Sequence, residues 1–455
     1  MENYLWNHRI TPRVLKKGVM QTIEIEGLDD SYLFYDGIEY EVRLVCRDYH
    51  TLNKEFSTPP KHSMIIPTLK VKSKDNKLKI TYNFDVEGLW RVYIRCLENV
   101  HHTKHREYYW PWSVNEREIL VTVYVLDDDL YGLTPFKGDL HVHSMDSDGD
   151  QSPRLMATKY RKYGFDFIAM TDHYTMQPSL DIIEKFKEIP TNFILFSGEE
   201  VHTCQPKDAI HSFHVVNFGG KSSVNQLLKD DYKGIEKKVL ARAEEIKDEV
   251  LDFEEAVVVA WHEWVYNRIK ESGGVAIYAH PFWEVYGSFY MTESATKQII
   301  KRGLLDAIEV YGGLSKQTNL MQEQMYHHMK ELGYKMSPVG SSDAHSNICD
   351  EHFDSMATIV FAKDKDDIMA AVMDGRTVAI EKSGSGVPSV CGDLRLVKYA
   401  WFLLNDYYVR HDELCNASGQ AIERYMYGDK EQKLLIELLE KEVKKYQDGF
   451  FGFTK

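Results

Sequence analysis

The chain has 455 residues, a formal net charge of −15 and a hydrophobic fraction of 43%; that length exceeds one ordinary core and implies two or three domains. No run approaches the roughly 20 apolar residues that span a bilayer, and the acidic balance disfavours a nucleic-acid polymer, whose phosphates need a basic surface, while leaving room for a small phosphorylated substrate. Six cysteines without a C-x-x-C pair argue against a disulfide framework or a zinc ribbon, and the start Met1-Glu2-Asn3-Tyr4-Leu5-Trp6-Asn7-His8 lacks a signal-peptide core, so a cytoplasmic location with reduced thiols is the expectation.

Residues 1–133 read as all-β. Leu78, Ile80, Tyr82 and Phe84 alternate with polar neighbours, as do Trp90, Val92, Ile94 and Cys96, and again Ile119, Val121, Val123 and Val125. Met20 to Glu26 and Tyr40 to Arg47 fit the same mould, so an antiparallel sandwich is expected. The cluster Tyr108-Tyr109-Trp110-Pro111-Trp112 reads as a hairpin covering a core, and His101, His102 and His105 sit in a polar loop with no carboxylate placed to help bind an ion.

Asp127-Asp128-Asp129 with Gly132 and Pro135 marks a boundary, after which strands alternate with helices. Ser152 is a good N-cap with Pro153 at the first helical position, and Gly164 stops that helix. Phe167-Ile168-Ala169-Met170 is an apolar strand ending in Thr171-Asp172-His173. Phe193 to Phe196 leads to Gly198-Glu199-Glu200-Val201, and His214 opens the strand to Phe218. A helical insert over about 221–270 precedes Val275 to Pro281, and the strand Ala307-Ile308-Glu309-Val310-Tyr311 is followed by a helix over 315–332 and by Met336 to His345. This alternation predicts a parallel sheet closing into an α/β barrel over 134–382, with polar residues at the carboxyl ends of strands, where such barrels hold their active sites. Residues 383–455 read as a mostly helical extension whose last helix carries a stripe of Leu435, Leu439, Val443 and Tyr446.

The candidate ligands begin at His141-Val142-His143. Residues two apart in a strand share a face, so the two imidazoles lie side by side, and Asp148 follows on the next turn. Such a set suits zinc, manganese or iron, although a lone His-x-His pair is as often an accident of an edge strand. Collected in order, the strand-end candidates are His141, His143, Asp148, His173, Glu200, His214, His280, Asp343 and His345. They exceed the need of one ion and would serve two or three ions sharing a carboxylate. Asp146 is a weaker alternative to Asp148 by spacing.

These motifs resemble the PHP (polymerase and histidinol phosphatase) superfamily of metal-dependent phosphoesterases over about residues 136–382. His141-Val142-His143 with Asp148, Thr171-Asp172-His173, Gly198-Glu199-Glu200-Val201, His214, Ala279-His280-Pro281 and Ser342-Asp343-Ala344-His345 occur in that family's order. The resemblance implies a distorted (β/α)7 barrel with a trinuclear site, here behind an N-terminal β-sandwich. It favours Glu200 over Glu199 and His214 over His211. The implied activity is hydrolysis of a small-molecule phosphate ester, of the nucleotide or sugar phosphate class, by a metal-activated hydroxide. His202 and His211 are candidate proton donors, and Arg376, with Arg154 and Lys382, a candidate phosphate contact. Two other readings stand beside it: a metal-dependent amidohydrolase, which a modified bridging lysine would reveal, and a binding module whose metals are structural. No membrane partner is expected, and nothing in the sequence sets the oligomeric state.

Overall fold

The computed structural model describes residues 7–28, 33–47, 68–96, 119–202, 214–285, 287–346, 353–382 and 386–453. His211, the 108–112 aromatic cluster and His101, His102 and His105 lie outside the described residues. The chain divides into two compact units, Met1–Gly132 with Trp401–Val409 and Lys444–Lys455, and Leu133–Ala400 with Arg410–Val443.

In the first unit the strands are β1 (His8–Thr11), β2 (Val14–Lys16), β3 (Met20–Gly27), β4 (Glu39–Cys46), β5 (Thr68–Lys72), β6 (Lys77–Asn83), β7 (Gly88–Cys96) and β8 (Ile119–Leu126). They form a three-stranded sheet, β1-β3-β6, and a five-stranded sheet, β2-β8-β7-β4-β5. Strict alternation in β4 buries Tyr40, Val42, Leu44 and Cys46. Ile23, Ile25, Leu78 and Ile80 of the small sheet share one core with Val42, Leu44, Val92, Ile94, Val121 and Val123 of the large one. Each such side chain contributes about 1.5–3 kcal/mol on burial. The pairings are antiparallel except for β2 with β8, which is parallel. Arg13 is buried in this unit and gives its Nη2 to Asp406 at 2.6 Å and to the Thr122 hydroxyl at 2.7 Å.

The second unit is a mixed α/β body. Its strands are β9 (Thr134–Val142), β10 (Phe167–Met170), β11 (Ile194–Phe196), β12 (Gly198–His202), β13 (His214–Phe218), β14 (Val275–Tyr278), β15 (Glu284–Val285), β16 (Ser288–Phe289), β17 (Ala307–Gly312), β18 (Ser337–Ser341), β19 (Met356–Ala362), β20 (Thr377–Glu381) and β21 (Ser389–Gly392). They make a six-stranded sheet, β11-β10-β9-β19-β20-β21, a five-stranded sheet, β12-β13-β14-β17-β18, and the small hairpin β15-β16. Isolated bridges pair Val142 with Ala344 and His173 with Glu200.

The helices start and stop where the sequence marks them. The Ser152 hydroxyl accepts from Leu155 N at the head of helix Pro153–Lys162, and Gly164 follows with φ +80°. The insert is the helical stretch Val224–Ile246, broken at Asp231, and the helix Phe253–Glu271, capped by Ser223 and Asp252. Val239, Ala243, Trp261 and Val265 of these helices enter the same core as Val215, Tyr278 and Ile308. The insert therefore belongs to the body of the unit.

Two expectations change. The sheets are not wholly parallel: β12 and β13 pair antiparallel, and β13 then meets β14 antiparallel as well. In the last helix, Gln432–Phe451, the buried stripe runs through Ile436 and Val443 with Leu439 packed beside it, while Leu435 is exposed. No described helix is long and apolar enough to cross a membrane.

Candidate metal centre

β9 ends in the middle of the second unit and delivers two histidines there. His141 and His143 are fully buried, and their Nε2 atoms lie 3.0 Å apart. His141 Nε2 is 3.0 Å from Glu200 Oε2 and 3.2 Å from Asp343 Oδ1; His143 Nε2 is 3.1 Å from each. Glu200 comes from β12, and Asp343 from the turn after β18.

A second group gathers around Asp148. Its carboxylate lies 3.7 Å from His143 Nδ1, 3.5 Å from His173 Nε2 and 3.4 Å from His345 Nε2. A third uses the other oxygen of Glu200, 2.5 Å from His214 Nδ1 and 3.5 Å from His280 Nε2. β13 runs against its neighbours, so His214 at its amino end meets the carboxyl ends of β12 and β14. All nine candidates from the sequence converge in these overlapping groups, and Glu200 is the carboxylate shared between two of them.

Glu309 completes the cluster and was not among the candidates. It is buried in β17, accepts from His141 Nδ1 at 2.9 Å and receives the backbone N–H of His280 at 3.0 Å. The signal was present: a lone carboxylate inside the apolar run Ala307 to Tyr311 is too expensive to bury without a task. By holding the Nδ1 proton of His141, Glu309 turns the Nε2 lone pair toward the cluster. His345 is oriented in the same way, through Nδ1–H to the Asp343 carbonyl at 2.7 Å.

Neighbouring residues hold the frame. Asp172 accepts from Ser144 N at 2.7 Å, the Ser144 hydroxyl at 2.8 Å and the Ser147 hydroxyl at 2.7 Å, fixing the turn that carries Asp148. Asp139 receives the backbone N–H groups of His141 and Ser342, and the Tyr160 hydroxyl; burial pushes its carboxyl up to about 6 despite these hydrogen bonds. Glu199 points to the opposite face from Glu200, as strand alternation requires, and caps helix Val224–Ile246 by accepting from Val224 N at 2.6 Å and the Ser223 hydroxyl at 2.6 Å. Asp343 takes a left-handed φ of +52°. Gly313 makes room for that turn, since a Cβ there would lie 1.9 Å from the Ser342 carbonyl oxygen.

The residues fit divalent cations on the chemistry of their facing atoms. His173 Nδ1, His214 Nδ1, both ring nitrogens of His280, Glu200 Oε1 and Asp343 Oδ1 are buried without a hydrogen bond. Lone pairs aimed at lone pairs at about 3 Å repel unless positive charge lies among them. Protons supply that charge in part. Burial alone would lower His141, but the charges of Asp343, Glu200 and Glu309 outweigh it and hold the ring well above its ordinary range; His143 is raised to about 9 against burial by the neighbouring carboxylates of Asp343 and Glu200. Glu200 and Asp343 are held low against their burial by the surrounding histidines. Clusters of His, Asp and Glu suited to a di- or trinuclear metal site are thus present.

The other candidates fare differently. His202 lies beside the cluster, its ring centroid 4.6 Å from that of His214 and 5.3 Å from that of His173. Burial lowers it to about 3, which favours the neutral ring. Arg376 does not reach the site: it stands before β20, pairs with Asp367 at 2.7 Å and Asp374 at 3.2 Å, and so lies at the amino end of the strand, away from the ligand edge. Arg154 lies 4.1 Å over the Tyr427 ring, and Lys382 is 3.5 Å from Asp354. Asp146 stays outside the ligand groups. Aromatic rings line the near side of the cluster: Tyr290 and Trp283 stand 5.1 and 5.7 Å from His214, and Tyr174 stands 5.7 Å from His173. Tyr174 and Trp283 are exposed.

Residues 139–251 match the family model described as PHP domain, and the chain thus carries a PHP-domain region behind a β-rich N-terminal one. No curated protein sequence matches. Among solved structures, a two-domain protein of Bacteroides vulgatus containing a predicted PHP-like metal-dependent phosphoesterase is 20% identical, with 55% of this chain and 66% of that chain covered and a TM-score of 0.37. This chain thus spans just under two thirds of that protein. A Bifidobacterium adolescentis protein assigned as a metal-dependent phosphoesterase is 20% identical (46% and 87% covered, TM-score 0.33). An amidohydrolase from Chromobacterium violaceum, with sulfate and no metal bound, is 18% identical (47% and 89% covered, TM-score 0.32).

Proposed function

With residues 139–251 as a PHP-domain region, we propose that the chain is a metal-dependent phosphoesterase that hydrolyses a phosphate ester of a small molecule. The observation that carries this reading is the convergence of nine strand-end side chains with Glu200 shared between two groups. His141, His143, Glu200 and Asp343 would hold one ion, His143, Asp148, His173 and His345 a second, and Glu200, His214 and His280 a third; zinc, manganese or iron suits such nitrogen and oxygen donors. When bound, such ions activate water and neutralise the charge that develops on phosphoryl oxygens.

The chain's own residues then position and exclude. Glu309 and the Asp343 carbonyl fix the tautomers of His141 and His345. Uncharged His202 can accept a proton or orient a ligand beside His173 and His214. Tyr174 and Trp283 offer planar faces next to the cluster, which suits a leaving group with a ring, as in the nucleotide and sugar phosphate classes. The bridges Val142–Ala344 and His173–Glu200 link the two sheets and support a distorted seven-stranded barrel of β9, β10, β12, β13, β14, β17 and β18 within 134–382. The groups shared between these ligand sets are His143 and Glu200 and neither is a lysine, which favours this reading over an amidohydrolase. The test is phosphate release from a panel of phosphomonoesters by chelator-stripped protein. Release should require added zinc or manganese and disappear in His141→Ala and Asp343→Ala; unchanged release in those variants would refute the proposal.

A further inference from the structure

A second set of metal-binding side chains lies apart from the central cluster. Glu323 and His327 stand one turn apart on helix Lys316–Glu331, and Cys391 comes from β21, the edge strand of the six-stranded sheet. Residues at this spacing share a helix face. Cys391 Sγ is 3.8 Å from His327 Nε2, and that nitrogen is 3.7 Å from Glu323 Oε1. One donor atom from each of the three lies within 4.8 Å of the others. Donors held at about 2.0–2.3 Å around one tetrahedral ion stand roughly 3.3–3.6 Å from each other.

We propose that Glu323, His327 and Cys391 form a separate site for zinc or a similar thiophilic divalent ion. The donor set is chemically distinct from the central one, which contains no sulfur. A thiolate, a carboxylate and a neutral imidazole balance the charge of one divalent ion, so the filled site buries no net charge. Binding would take the sulfur electron pair as the thiol proton leaves to solvent. Cys391 is buried while the His327 side chain is 44% exposed, which leaves the solvent side for a water as fourth ligand. The site would clip the short edge strand β21, four residues long, to helix Lys316–Glu331, whose Lys316 Nζ already donates to the Ser389 hydroxyl of that strand at 2.5 Å.

The test uses the full chain, stripped with chelator, loaded with Mn²⁺ and then titrated with Co²⁺. A thiolate ligand gives a near-ultraviolet sulfur-to-cobalt charge-transfer band that nitrogen and oxygen ligands do not, so the central cluster is silent in this reading. We expect the band to saturate at a single equivalent, to bleach on adding Zn²⁺, and to be lost in Cys391→Ser. His327→Ala, at a half-exposed position, should lose it too while keeping the far-ultraviolet circular dichroism of the wild type. Absence of the band in the wild type, or its persistence in either variant, would overturn the proposal.

Discussion

Two buried polar clusters in the second unit look alike in burial and opposite in chemistry. Arg161 and Glu440 are 1% and 4% exposed, yet every charge there is answered. Arg161 gives Nε and Nη2 to Glu440 at 3.0–3.3 Å and Nη1 to the Phe165 carbonyl at 3.2 Å. Glu440 also accepts from the Thr191 hydroxyl at 3.1 Å, Asn192 N at 3.0 Å and the Ser418 hydroxyl. Around His141 and Glu200, by contrast, imidazole faces imidazole and acceptors face acceptors. Burying a charge costs several kcal/mol unless geometry restores what water gave. A complete network serves the fold it holds together; an incomplete one of the same burial is kept for something that binds.

The contrast can be broken by substitution. Asp343→Ala or His141→Ala should cut metal-dependent phosphate release by several kcal/mol of transition-state stabilisation, on the order of 10³- to 10⁴-fold. Far-ultraviolet circular dichroism should meanwhile report an unchanged fold. Glu440→Ala should do the reverse, lowering stability in urea titrations by about 3–5 kcal/mol because Arg161 is left buried and unanswered, with metal per folded molecule unchanged.

A third buried group sharpens the comparison through pH. His262 is buried in helix Phe253–Glu271 and donates Nδ1–H to the Val258 carbonyl at 2.8 Å; burial lowers it to about 4. Its folded value lies below its unfolded one, so the neutral ring contributes full stability above pH 6.5, and that contribution is lost as pH falls from 6.5 towards 4. His262→Phe should remove about 3 kcal/mol of acid sensitivity across that window, read as a flatter acid limb in denaturation at fixed metal. The smallest effect belongs to Glu309→Gln, which keeps shape but loosens the hold on His141. Metal affinity should fall roughly 10- to 100-fold, measured by competition with a chromogenic chelator.

Much of this organisation is legible in the sequence, for reasons that differ by residue. The alternation of β4 and β7 marks the N-terminal sheets because one face is wet. His141, His173, Glu200, His214, His280 and Asp343 are legible because a polar side chain at the end of an apolar strand is costly to bury unless it binds something. Glu199 and Glu200 separate because a strand sends neighbours to opposite faces. What escapes is what depends on partners far along the chain. Glu309 looked like part of an apolar strand until His141, 168 residues away, met it. Arg376 looked available for phosphate until Asp367 and Asp374 took its guanidinium. The direction of β13 escapes too, because its antiparallel pairing with β12 and β14 leaves no periodic signal in the sequence. Cys391 and His327, 64 residues apart, meet only because β21 reaches the helix.

The most direct measurement is an anomalous difference map from crystals of the full chain soaked in manganese. Two or three peaks are expected within bonding distance of His141, His143, Asp148, His173, Glu200, His214, His280, Asp343 and His345, with Glu200 touching more than one. A saturating soak that leaves no peak among these side chains would contradict the reading of the cluster as a metal centre.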